Sequence, residues 1–132
     1  VQFLPKRYLY EQGRTSLPDY LEHIQQAIER IQRYTLDMEE VVFLRNEMAQ
    51  DAVIRNIEII GEASNNVMRC SPDFAERHNE IPWQVIYAMR NRVSHAYHKV
   101  DIEIVWNMIQ NDLPVLHQQI VNLLRKLSPP VA

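Results

Sequence analysis

The amino-acid sequence predicts an all-α protein, an up-down helical bundle whose last helix is kinked. Three observations carry that expectation. Glycine occurs only twice in 132 residues, whereas the turns of a sheet protein usually need more of it. Leu, Glu, Gln, Arg and Met, which helices accept readily, are plentiful. Apolar residues also recur at intervals of three and four, the period of a half-buried helix.

The elements follow in order. Residues 1–15 hold no sustained period and contain Pro5 and Gly13, so they are expected to form a loose arm ahead of a single domain over 16–132. Pro18 suits a first helical turn. Tyr20, Leu21, Ile24, Ala27, Ile28, Ile31 and Tyr34 follow at helical spacing, giving a helix over 18–34. Asp37-Met38-Glu39-Glu40 has the form of a capping box, opening a short helix through Val41–Leu44. A longer helix is expected over 47–69, with Ala52, Val53, Ile57, Ile60, Ala63, Ser64 and Val67 near its buried stripe. Gly61 interrupts it at a cost of about 1 kcal/mol relative to Ala, which a close crossing by another helix would explain. Ser71-Pro72-Asp73 ends that helix and starts a short turn through Phe74 and Ala75. Pro82 opens the next helix, with Trp83, Val85, Ile86 and Met89 on its apolar side. The pattern resumes from Asp101, and Pro114 should kink or split the last helix by removing a backbone donor.

Composition limits what such a bundle can do. The length suffices to bury a core without metal or disulfide, and the lone Cys70 fits a reducing cytoplasm. No apolar run approaches the roughly 18–20 residues that a membrane helix needs, and no signal peptide is expected. The net charge of −3 argues against a surface that coats nucleic acid broadly. Residues 81–100 nevertheless carry Arg90, Arg92 and Lys99 with no acid, leaving 11 bases against 17 acids elsewhere. A basic patch on an acidic body suits one phosphate-binding site better than a long track.

That patch centres on Met89-Arg90-Asn91-Arg92-Val93-Ser94-His95-Ala96-Tyr97. Taken singly, Arg90 and Arg92 could answer helix C-terminal carbonyls, and Tyr97 could be a core anchor with a wet hydroxyl. The combination points to phosphodiester chemistry. Asn91 and His95 are four apart and share a helical face, so the amide can orient the imidazole. Arg90 lies five before His95, about 140° round an ideal helix. A long arginine or an unwinding helix end would bring guanidinium and imidazole to one phosphate. Histidine moves protons near neutral pH and arginine binds phosphate oxygens bidentately.

The same residues resemble the Arg-x4-6-His motif of HEPN domains, with a polar residue after the arginine. They resemble more narrowly the Arg-x4-His-x-Tyr signature of HepT toxins, which are paired with MNT nucleotidyltransferase antitoxins. The likeness spans about 18–127 and includes Ala52-Val53-Ile54-Arg55-Asn56-Ile57-Glu58-Ile59-Ile60-Gly61-Glu62-Ala63, Ile81-Pro82-Trp83 and Val100-Asp101-Ile102-Glu103-Ile104-Val105-Trp106. The resemblance implies a HEPN-like bundle forming a two-fold homodimer, whose subunits jointly build a metal-independent ribonuclease site without a cofactor. It implies His95 as general acid/base, Arg90 as the stabiliser of phosphoryl charge and Asn91 as an orienting group. Tyr97 would be the hydroxyl that the partner antitoxin modifies with AMP. Arg92, His98 and Lys99 would contact RNA.

Two other readings have residues behind them. His95, His98 and Asp101 recur every three residues and could be metal ligands, but that spacing drifts around a helix and no further cluster supports it. Glu58 and Glu62 share a face and could form an acid pair, although such residues more often make a solvated stripe or partner an arginine. Cys70 has no sequence partner that would activate it, and His23, His78 and His117 have the look of ordinary surface residues. The main alternative function is a non-catalytic module in which Arg90 and His95 hold a nucleotide while the helices dock a nucleotidyltransferase.

Overall fold

A computed structural model of the chain describes residues 16–93 and 99–127, with 99–101 described in backbone alone. The expected arm over 1–15 therefore lies outside the described residues. Helix α1 (Leu17–Tyr34) starts one residue before the predicted boundary. Asp19 supplies its N-terminal anchor: the Ser16 backbone N–H donates to Asp19 Oδ2 at 2.9 Å and the Ser16 hydroxyl to the same oxygen at 3.1 Å. These bonds favour the ionised carboxylate and hold Asp19 below its ordinary range. Leu21, Ile24, Ala27, Ile28 and Ile31 form the buried stripe, while Tyr34 is exposed.

The capping box expected at Asp37–Glu40 does not form. Asp37 has φ of 60°, the left-handed conformation that a short polar side chain tolerates, whereas a cap residue needs extended backbone. Glu39 takes that role without a side-chain bond, and α2 is the single turn Glu40–Phe43. Thr35, Leu36 and Asp37 turn the chain instead, with Met38 N–H donating to Thr35 O at 3.0 Å.

Helix α3 (Glu47–Cys70) is the longest, and its N-terminus is capped by Asn46 Oδ1, which accepts from Ala49 N–H at 2.9 Å. It is the central element of the bundle. Helix α1 packs on it from one side and α5 (Trp83–Val93) from another, while α4 (Pro72–Arg77) lies in the connection from α3 to α5. The interface with α1 also contains polar residues. Buried Asn56 accepts from Arg30 Nε at 2.7 Å and donates to Ala52 O at 2.8 Å, which meets the demand that a buried amide be bonded.

Among the described residues the Ser64 hydroxyl, fully buried on the same helix, finds no partner. Ser64→Ala removes that unsatisfied group and improves helix propensity. It is expected to raise the free energy of unfolding by about 1 kcal/mol, measurable by urea denaturation.

Helix α6 (Lys99–Asn107) carries Trp106, whose ring lies 5.3 Å from that of Phe43. The interruption expected near Pro114 is present, and its form is a π-helical turn over Met108–Asp112 that leads into α7 (Leu113–Leu127). Leu113 N–H donates to Met108 O, five residues back. This wider turn precedes a proline that could not have donated to the ladder. Helix α7 then packs on α1, where His117 Nε2 meets Glu29 Oε2 at 2.9 Å. The bond to His117 holds the Glu29 carboxyl below the usual range. His117 is thus an inter-helix contact, not the isolated surface residue its sequence position suggests.

Candidate functional site

The site is built on α5, whose placement is fixed at both ends. Ile81 and Trp83 are buried at its start and Val93 at its last turn. Trp83 Nε1 donates to His78 O at 3.2 Å, and the Phe74 ring lies 6.5 Å from that of Trp83. Positions 83, 86, 90 and 93 are spaced by three and four residues, so they share the face turned towards α3. Arg90 occupies an inward position where the pattern calls for an apolar side chain, and it is only half-buried.

Gly61 explains how closely the two helices approach at that position. A Cβ built on Gly61 would lie 2.8 Å from Arg90 Cβ and 3.5 Å from the Ile86 carbonyl oxygen. Real carbon atoms do not approach so closely, so the two helices can cross at this spacing only because residue 61 has no side chain. The close crossing expected from the sequence is therefore present, and what crosses is the arginine of the motif.

The next residue of α3 engages the other end of the same side chain. Arg90 Nη1 lies 3.2 Å from Glu62 Oε2. The Tyr87 ring, one turn earlier on α5, has its centroid 6.0 Å from Arg90 Cζ, at the outer limit of a cation–π contact. Arg90 thus has a fixed root and a directed head.

Beside it opens a cleft of about 320 Å³ lined by Arg55, Glu58, Ile59, Glu62, Ala63 and Asn66 of α3, His23 of α1 and Arg90. Two arginines face two glutamates here, so the cleft is not a simple cationic track. A guanidinium presents a planar fork of N–H groups, a geometry that matches phosphate oxygens. Asn91 and Arg92 are exposed on other faces of α5. His95, Tyr97 and His98 lie outside the described residues, as does the side chain of Lys99. Among the described residues no group of three or more His, Cys, Asp or Glu is arranged to hold a metal ion.

A second cavity, of about 360 Å³, is apolar. It runs between α5 and the start of α7 and is lined by Val85, Ile86, Met89, Met108, Leu113 and Val115 among others. Val85 and Val115 are more than half exposed at its rim.

Comparison with known proteins decides what this arrangement belongs to. The family model described as "Ribonuclease HepT-like" matches residues 24–123, a span that includes the helix crossing at Gly61 and the whole motif. The chain belongs to the ribonuclease HepT-like family. It is 43% identical over 103 residues to the "Probable ribonuclease HepT" of Thermococcus cleftensis, covering 78% of this chain and 91% of that protein. It is 39% identical over 115 residues to a Methanocaldococcus jannaschii protein named for a gamma-glutamylcyclotransferase and a candidate RNase, covering 87% of this chain but only half of that protein. A candidate RNase of Caldanaerobacter subterraneus is 34% identical over 107 residues, 81% of this chain and 93% of its own length. No solved structure matches the chain. The HepT-like relationship agrees with the all-α bundle, and among the described residues no helix is long and apolar enough to cross a membrane.

Sequence reasoning did not single out this cleft. Glu62, read as half of an acid pair, a solvated stripe or a partner to an arginine, takes the last of these roles with Arg90. His23 is exposed, as its position suggests, and it also lines the cleft. One signal for Arg90 was available in the sequence: it breaks the apolar stripe Trp83, Ile86, Val93.

Proposed function

We propose that this HepT-like chain is the toxin of a type VII-like toxin–antitoxin pair, a cytoplasmic, metal-independent endoribonuclease. Two copies form a dimer, and their Arg-x4-His motifs build one composite cleft. The observation that carries the reading is Arg90. Within a family described as ribonucleases, an arginine is held in an inward helical position, anchored by Gly61 and Glu62, with its side chain still 37% exposed. A residue placed only for packing would be apolar there.

In this mechanism Arg90 binds the scissile phosphate and stabilises the negative charge that grows on its non-bridging oxygens. His95 removes the proton from the neighbouring 2′-hydroxyl, which attacks phosphorus. The 5′-oxygen leaves and takes a proton from the same, now protonated, imidazole, giving a cyclic phosphate and a free 5′-hydroxyl. Asn91 orients the imidazole, while Arg92, His98 and Lys99 hold the strand. Charge stabilisation and proton transfer are both supplied by side chains, so the scheme needs no cation. The apolar cavity beside Val85 and Met89 on α5 supports the dimer, because the helix bearing Arg90 also bears an exposed apolar rim.

A partner nucleotidyltransferase of the MNT type silences the enzyme by attaching AMP to Tyr97. Nucleotide phosphates placed there would compete for the arginines of the cleft. Two measurements test the proposal. The purified chain should cleave RNA in the presence of EDTA. Co-produced with its partner, it should gain intact mass in multiples of AMP, and Tyr97→Phe should not. A folded dimer that binds nucleotide but leaves RNA intact would identify a docking module instead.

A further inference from the structure

We infer that Glu62 is a positioning residue, which holds the Arg90 guanidinium in the orientation that meets the scissile phosphate. This rests on the ribonuclease reading of the same site. Two independent contacts define the constraint. Gly61 lets α5 approach until Arg90 Cβ sits against the α3 backbone, and this fixes where the side chain starts. Glu62 Oε2 takes Nη1 at 3.2 Å, which fixes where it ends. Both come from consecutive residues of a 24-residue helix with a buried face of nine residues. Such a helix is a rigid mount.

The alternative role for Glu62 is competition. The carboxylate side chain is 50% exposed and the guanidinium side chain 37%, so an incoming phosphate could simply displace it. The two roles leave different kinetic signatures. A competitor weakens substrate binding, and its removal lowers KM with kcat unchanged. A positioning carboxylate acts on the transition state, and its removal lowers kcat. Geometry favours positioning. Glu62 directly follows Gly61 on α3, so the carboxylate that holds the head of Arg90 stands on the same rigid helix against which the root of the side chain is packed.

The experiment compares the full-length wild-type chain with Glu62→Gln, Glu62→Asp, Arg90→Ala and the Arg90→Ala/Glu62→Gln double variant on a defined RNA oligonucleotide. Circular dichroism checks the fold of each. Glu62→Gln should lower kcat by roughly 10- to 100-fold, the scale of a misplaced catalytic group, with KM within about twofold. Glu62→Asp should regain part of the loss. Glu62→Gln should cost nothing further once Arg90 is absent, because the two act as one unit. A second readout does not depend on RNA cleavage: nitrogen NMR of the Arg90 guanidinium should show hindered rotation in the wild type and faster rotation in Glu62→Gln. Wild-type kcat in Glu62→Gln, or a lower KM alone, would overturn the inference. So would guanidinium rotation that Glu62→Gln leaves unchanged. If the wild-type chain fails to cleave RNA, the ribonuclease reading falls, and the rotation measurement still decides whether Glu62 orients Arg90.

Discussion

His95→Ala is expected to lower RNA cleavage by about 10²–10⁴-fold, the range contributed by a positioned general acid/base, while the chain still folds. The imidazole does two jobs in the proposed reaction, taking a proton from the 2′-hydroxyl and delivering one to the leaving oxygen. The motif from Arg90 to Tyr97 contains no other imidazole to replace it. Arg90→Ala should be comparably damaging through lost charge stabilisation. Arg90→Lys should recover little, because an ammonium cannot reproduce the bidentate fork or the sideways hold of Glu62. Initial rates on a fluorogenic RNA, alongside thermal unfolding, separate loss of chemistry from loss of fold. Cleavage at wild-type rate by folded His95→Ala would remove histidine from the mechanism.

The second large effect concerns Gly61. Alanine is the better helix former by about 1 kcal/mol, so propensity alone says that Gly61→Ala stabilises α3. Packing says the opposite. The new Cβ would stand 2.8 Å from Arg90 Cβ, and that atom is tied to the α5 backbone, unlike the far end of a flexible chain. One helix must move, and overpacking of this kind costs about 1–3 kcal/mol. The net expectation is lower stability, with Gly61→Val worse than Gly61→Ala, read from urea denaturation midpoints. Activity should suffer more than stability, because a shift near 1 Å in a catalytic group can cost about 10²-fold. A stabilised and fully active Gly61→Ala would show that the crossing is looser than described.

Much of this fold could be read directly from local pattern. The stripe of α1, the opening prolines at 18, 72 and 82, and the break ahead of Pro114 are all short-range signals, and each appears where expected. What escaped depends on residues far apart in the chain. Glu29 and His117 are separated by 88 positions, and no spacing rule links them. The same holds for Glu62 and Arg90, which meet only because α3 and α5 cross. Asp37 failed for a different reason. Its sequence fits a cap, but the chain needs a left-handed turn after Thr35, and the same short polar side chain serves that purpose. Gly61 was legible as an anomaly, yet its partner was not. A glycine in a helix predicts that something comes close without saying what.

The composite cleft is the centre of the account, and mixing inactive subunits tests it most directly. Arg90→Ala and Glu62-intact His95→Ala chains are purified separately, each inactive, then unfolded and refolded together, with native mass spectrometry confirming that mixed dimers form. If guanidinium and imidazole from different subunits serve one phosphate, the cleft of a wild-type dimer holds two equivalent Arg–His pairs and a mixed dimer regains one of them; with about half the dimers mixed by random two-fold pairing, the mixture recovers about a quarter of wild-type activity. Activity that stays at background while mixed dimers are present would contradict a site shared between two copies.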